Sequence, residues 1–136
     1  MKQMDPVQKT NEEWQKELSD EEYRVLREKD TEAPFSGKYV DTKETGTYRC
    51  KACGNILFTS EAKFDSGTGW PSFTDPAVAE NVGTRPDDSF GMRRTEVYCK
   101  QCGGHLGHVF NDGPEEKGGK RYCINSVCLE FEKNQQ

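Results

Sequence analysis

At 136 residues, with 32% charged and 32% apolar residues, the chain holds material for one domain with a modest core and is too short for two of ordinary size. Its 24 acidic against 19 basic residues leave a formal charge of −5, which weighs against general nucleic-acid binding, because that rests on a basic surface neutralising phosphates. No apolar run approaches the roughly 18 residues needed to span a bilayer, and the polar stretch from Met1 to Asn11 lacks the apolar centre of a signal peptide, so a soluble, cytoplasmic protein with no membrane partner is expected.

In chain order, residues from about 10 to 30 are predicted helical. Ser19-Asp20-Glu21-Glu22 matches a capping box, in which the serine caps the helix and the glutamate reaches back to its start. Tyr23 and Leu26 recur at helical spacing, as do Trp14 and Leu18 in a preceding short segment. Two short helices are expected to lay these few apolar residues over a sheet. Pro34 and Gly37 mark 31–38 as a connecting loop. The pattern then changes to short β-like runs at 47–50, 56–59, 78–82, 91–98, 108–110, 121–125 and 127–132. Alternation is clearest in the last, with Val127, Leu129 and Phe131 on one side and Cys128, Glu130 and Glu132 on the other. The expected fold is mainly β, with antiparallel sheets and short N-terminal helices. It forms one domain: a helical segment at about 10–30 and a β core at about 38–132.

Six cysteines in a chain expected in a reducing compartment point to metal binding or catalysis rather than to disulfides. Cys50-Lys51-Ala52-Cys53-Gly54 and Cys99-Lys100-Gln101-Cys102-Gly103 are two similar turns. Two intervening residues let both sulfurs of a turn face one tetrahedral ion, and the following glycine lets the backbone curl beneath it. One such turn alone is also a redox dithiol pattern; two together indicate one structural zinc held by Cys50, Cys53, Cys99 and Cys102. Their wide separation means that the ion clips distant segments, giving a zinc-clipped β-fold. A four-thiolate shell leaves no position for a reactive water. A rival set, Cys99, Cys102, His105 and His108, has regular spacing but strands Cys50 and Cys53.

Cys123 and Cys128 remain. Cys123 lies in Lys120-Arg121-Tyr122-Cys123-Ile124-Asn125-Ser126, where a neighbouring cation favours the thiolate; a lone cysteine on a strand is more often a small buried hydrophobe. The two histidines sit together in Gly104-His105-Leu106-Gly107-His108-Val109-Phe110. They are the natural proton donors near neutrality, or purely structural groups beside a turn. Trp70, after Ser66-Gly67-Thr68-Gly69, reads in isolation as a core tryptophan following a tight turn.

Taken together, Ser66-Gly67-Thr68-Gly69-Trp70-Pro71-Ser72-Phe73, the histidine segment, Arg121-Tyr122-Cys123-Ile124-Asn125-Ser126 and the two cysteine turns resemble the B-type methionine sulfoxide reductases. The resemblance runs from about Trp14 to Phe131. It implies reduction of the R epimer of methionine sulfoxide in peptides and proteins, hence repair of oxidised proteins. Cys123 would attack the sulfoxide sulfur and become a sulfenic acid. His105, His108 and Asn125 would supply hydrogen-bond donors to the oxygen and position a water, with His108 the proton donor. Trp70 would receive the S-methyl group, and Arg121 would help hold the thiolate or the oxygen.

The sequence departs from a common pattern of that family at Thr68, where many relatives carry a resolving cysteine. Either Cys128 resolves Cys123, or an external thiol, thioredoxin by resemblance, reduces the sulfenic acid directly. Five residues along one strand place the two side chains on opposite faces roughly 16 Å apart, whereas a disulfide needs Cα atoms within about 7 Å. That favours the external thiol, unless the chain bends sharply at Asn125-Ser126. Two other readings are a zinc-knuckle nucleic-acid binder, which lacks a basic stripe, and a redox sensor that releases zinc, which would make Cys123 dispensable.

Overall fold

Thr10 and Ser19 each start a helix by the same reciprocal device. In the computed structural model, which describes residues 10–40, 42–88 and 93–133, the Thr10 hydroxyl accepts from the Glu13 amide at 3.2 Å while the Glu13 carboxylate accepts from the Thr10 amide at 2.9 Å. Ser19 and Glu22 repeat the arrangement at 3.1 and 2.9 Å. The helices α1 (Asn11–Glu17) and α2 (Asp20–Glu28) follow. Capping boxes satisfy amides that lack partners in the first turn, which matters most in helices too short to be stable alone. Trp14, Leu18, Val25 and Leu26 are buried as their spacing predicts. Helix α2 ends at Lys29 in the left-handed region, φ 60°.

The remaining elements are strands β1 (Gly46–Cys50), β2 (Ile56–Thr59), β3 (Lys63–Phe64), β4 (Ser72–Phe73), β5 (Val82–Asp87), β6 (Arg94–Cys99), β7 (His105–Phe110), β8 (Arg121–Ile124) and β9 (Leu129–Lys133). They form two antiparallel sheets, β2-β1-β9 and β3-β4-β8-β7-β6-β5. The fold is therefore mainly β with two short N-terminal helices, as expected. The core joins both sheets. Phe58 and Phe73 stack at 4.4 Å between ring centroids, and Tyr48 meets Phe73 edge-on at 5.2 Å and Phe131 at 4.8 Å. Leu57, Val97, Leu106 and Ile124 fill the interior with no exposed surface, each worth about 2 kcal/mol of apolar burial.

Several elements differ from the sequence reading: strands β3 and β4 were not expected, and the strand read at 108–110 begins at His105. Residues 79–81 form a 3₁₀ turn, and the strand begins at Val82 and runs on through Pro86. Proline is tolerated there because β5 is an edge strand. The reading at 91–98 becomes β6 from Arg94; Gly91 and Met92 lie outside the described residues. The last predicted strand begins two residues late, because Ser126–Cys128 is a 3₁₀ turn carrying the chain from one sheet to the other. Leu129 is buried and Phe131 packs against the core. Cys128 is wholly buried rather than facing out with Glu130.

Among the described residues, no helix is long and apolar enough to cross a membrane.

Candidate functional site

Two regions concentrate the chemically capable side chains. At the first, the end of β1 and the end of β6 bring the two cysteine turns together. All four Sγ atoms of Cys50, Cys53, Cys99 and Cys102 lie within 4.8 Å of one another. Cys50 and Cys102 are 3.7 Å apart, and Cys53 and Cys99 are 3.6 Å apart. Metal–sulfur bonds of ~2.3 Å directed to tetrahedral corners require sulfur separations of ~3.8 Å, so the four thiols fit a metal ion. None is in a disulfide.

Each turn closes identically, with the Gly54 amide donating to the Cys50 carbonyl at 2.8 Å and the Gly103 amide to that of Cys99 at 2.7 Å. Both glycines have positive φ, 81° and 75°, which a side chain would oppose. The Gly104 amide points at Cys102 Sγ from 3.4 Å and the Asn55 amide at Cys99 Sγ from 3.6 Å, donors that favour thiolate. Hydrogen bonds from Cys102, Cys50 and Cys53 hold Cys99 far below the usual thiol range. Arg27 from α2 donates to the Cys102 carbonyl at 2.9 Å, tying the helices to this centre. The rival ligand set is not assembled: among the described residues the ligand atoms that come together are those of the four cysteines.

The second region is a cleft of about 180 Å³ whose lining includes Cys123, His108, Trp70, Asn125, Arg121 and Thr68, together with Thr31, Arg94, Gly107 and Phe110. Cys123 sits on β8 with Ser72 of β4 on one side and His108 of β7 on the other, in register with both. A side chain at Gly107 would collide with the Cys123 carbonyl, so close approach of β7 to β8 requires glycine there. Burial raises the Cys123 pKa, while Arg121 and the Thr68 hydroxyl pull it back. Arg121 is itself fixed. Its guanidinium makes two bonds to Asp112, at 2.9 and 3.2 Å, and lies 4.5 Å over the Phe110 ring.

The histidines share a face for a reason that their spacing conceals. Residues three apart on a regular strand point to opposite sides. Here Val97 pairs with Gly107 and Tyr98 with His105, leaving Leu106 as an extra residue in β7. This bulge shifts the alternation by one and brings the rings to 5.4 Å between centroids. Their partners differ. His108 lines the cleft, with Nε2 2.7 Å from Asp87 Oδ2. His105 is outside the cleft lining and almost wholly buried, with Nδ1 2.9 Å from Glu96 Oε2.

Glu96 is fully enclosed. Burial alone would raise its pKa, but hydrogen bonds from Arg85, His105 and Lys29 overcome that and hold it at about 2. An ionised carboxylate only accepts, so His105 Nδ1 carries the proton toward it. Burial in turn lowers the His105 pKa, which favours the neutral ring.

Asn125 spends both ends of its amide on backbone: Oδ1 accepts from the Glu32 amide and Nδ2 donates to the Leu106 carbonyl, each at 3.0 Å. Trp70 Nε1 donates to the Glu32 carbonyl at 3.0 Å. Cys128 is fully buried, donates to the His105 carbonyl at 3.2 Å, and is pushed well above the usual thiol range by burial. The bend at Asn125-Ser126 exists, but it turns Cys128 into the core.

The cleft thus brings together five of the expected residues, Cys123, His108, Asn125, Trp70 and Arg121, and leaves His105 behind the wall. Glu32, Asp87, Glu96 and Asp112 were not anticipated. Each acts through a partner distant in sequence and none carries a local motif.

A family model described as the SelR domain matches residues 18–133. A peptide methionine sulfoxide reductase MsrB from Bradyrhizobium diazoefficiens is 59% identical over 128 residues, covering 94% of this chain and 91% of that protein. The MsrB of Methanosarcina barkeri is 55% identical over 130 residues, covering 96% and 91%, and that of Acinetobacter baumannii is 52% identical over 136 residues, covering 98% and 97%. Among solved structures, the Mis18 'Yippee-like' domain superposes with a TM-score of 0.55 at 20% identity, covering 68% of this chain and 100% of that one. That likeness concerns the fold alone.

Proposed function

The chain belongs to the SelR family of B-type methionine sulfoxide reductases, and on that footing we propose how its own residues divide the work. The reaction is the reduction of methionine-R-sulfoxide, with oxidised peptides and proteins as substrates and a thiol as reductant. The arrangement that carries the assignment is Cys123 in the cleft with His108 across one strand and Trp70 in the same lining.

Cys123 is the nucleophile. Its sulfur attacks the sulfoxide sulfur, and His108, oriented by Asp87, gives the oxygen a proton as charge builds on it. The S–O bond to methionine breaks and oxygen passes to Cys123. Methionine sulfur gains two electrons, and the thiol becomes a sulfenic acid. Trp70, held by its indole nitrogen, presents its ring to the S-methyl group and selects the epimer by shape. Arg121 tempers the desolvation of the thiol. Asn125 and His105 act by holding the walls, Asn125 through the Leu106 carbonyl and His105 through Glu96.

No thiol stands at Thr68, and Cys128 is sealed in the core. An external thiol therefore reduces the sulfenic acid directly: two thiols supply two electrons, releasing water and one disulfide and restoring Cys123. We assign that role to thioredoxin and place the protein in the cytoplasm, where six cysteines stay reduced. Zinc is the ion that suits four thiolates at tetrahedral spacing. Held by Cys50, Cys53, Cys99 and Cys102, it cross-links the two sheets and takes no part in the reaction.

The test is incubation with dithiothreitol and separated R and S epimers of a peptide-bound methionine sulfoxide, alongside Cys123→Ser. Consumption of the R epimer alone, lost in the variant, is expected. Turnover by Cys123→Ser would overturn the nucleophile, and turnover of the S epimer would overturn the role given to Trp70.

A further inference from the structure

Segment 31–35 runs along one rim of the cleft. Thr31 is in the lining. Glu32 binds both walls at once: its amide donates to Asn125, its carbonyl accepts from Trp70, and its carboxylate accepts from the Val127 amide at 3.0 Å. At the other end, the Phe35 amide donates to the Gly69 carbonyl at 2.7 Å. Pro34 and the edge of the Phe35 ring lie over Gly69, where a side chain would meet them at 2.7 and 2.9 Å. Gly69 stands between Thr68 and Trp70, both in the cleft lining.

This firmly tied segment leaves one large apolar group in solvent. Phe35 is 70% exposed; Val78, at 40%, is the other exposed large hydrophobic among the described residues. Phe35 also has φ 64°, a left-handed conformation unfavourable for a bulky residue. Backbone strain and exposed aromatic surface are both retained at one position on the rim of the cleft. A glycine would relieve the first and remove the second.

We infer that Phe35 is a specificity-determining contact for the polypeptide substrate, receiving an apolar side chain one or two residues from the methionine sulfoxide. The inference rests on the reductase reading. Its occupant follows from chemistry: methionine is largely a residue of cores and apolar contacts, so a segment exposing its sulfoxide carries apolar neighbours. With the sulfoxide at Cys123 and its methyl at Trp70, Phe35, packed over Gly69 between two lining residues, stands within reach of the flanking chain. The rigid mounting means little order has to be gained on binding.

The experiment compares kcat/KM for short peptides containing R-methionine sulfoxide flanked by leucine or by glycine. Four proteins are used: wild type, Phe35→Gly, Phe35→Leu and Val78→Ser. Wild type is expected to favour the leucine peptide by about fivefold, the scale of one partly exposed aromatic contact. Phe35→Gly brings the ratio to near one through KM while its melting temperature stays equal or rises. Phe35→Leu retains part of the preference, and Val78→Ser retains all of it. A wild-type ratio near one, or a preference surviving in Phe35→Gly, overturns the inference with the reductase reading intact. Absence of turnover of either peptide by zinc-loaded wild type overturns the reductase reading and, with it, this one.

Discussion

The four-cysteine cluster and the cleft around Cys123 are built on opposite plans. Each cysteine turn is complete within five residues, closing on its own backbone and a positive-φ glycine. Two such units need only be brought together. The cleft has no self-sufficient part: β6, β7, β8, the Ser66–Trp70 loop and segment 31–35 each supply one to three groups. The side chains that orient these groups come from β5, β6 and the loop after β7. In the function proposed above, one region holds the molecule together and the other does its chemistry. Removing either should leave a different kind of damage.

The largest expected effect is loss of the metal. Chelation at neutral pH, or Cys50→Ser, should abolish the cooperative thermal transition, since a four-thiolate ion contributes on the order of 10 kcal/mol. Near-ultraviolet circular dichroism is the readout, and a chelated protein keeping its native melting curve would break the comparison at its root. Next comes Cys123→Ser, which should reduce sulfoxide turnover by about 10⁴-fold or more while shifting the melting temperature by no more than a few degrees. A large loss of stability there would mean that the cleft also carries the fold.

Glu96→Gln sharpens the contrast, because Glu96 belongs to the cleft's support. Its folded pKa, about 2, lies below its ordinary value of 4.5. The stability it contributes is therefore present above about 4.5 and lost as pH falls through about 2. Its half-exposed partners Lys29 and Arg85 reduce the benefit to about 2 kcal/mol at neutral pH. Denaturant midpoints of variant and wild type should converge toward pH 2; a constant difference would exclude an ionised Glu96. The smallest effect is Arg121→Met. Arg121 opposes the rise that burial imposes on Cys123, so its loss should move the alkylation profile of Cys123 to higher pH. The rate below the inflection should fall severalfold.

Legibility in the sequence followed the same division. The cysteine turns, the Ser19 capping box and the alternation of Leu129 and Phe131 were readable because each depends on residues a few positions apart. Pro86 concealed a strand, since only its place at a sheet edge makes proline acceptable. The Ser126–Cys128 turn concealed the end of one sheet and the start of another, and with it the burial of Cys128. Resemblance supplied Cys123, Trp70 and the histidines as a set, but not their arrangement.

By itself, then, the sequence determined the mainly antiparallel β class, the four-cysteine cluster and the family. These rest on periodicity, on ligand spacing and on ordered motifs, all properties of the chain taken linearly. The tertiary structure alone decided that His108 lines the cleft while His105 stands behind it, that Asp87 and Glu96 orient them, and that Phe35 is held out at the rim. One extra residue in β7 inverts the facing of everything beyond it, and a buried carboxylate finds its cations across sheets. Neither outcome is encoded in any short stretch, because each is set by which strand lies alongside which.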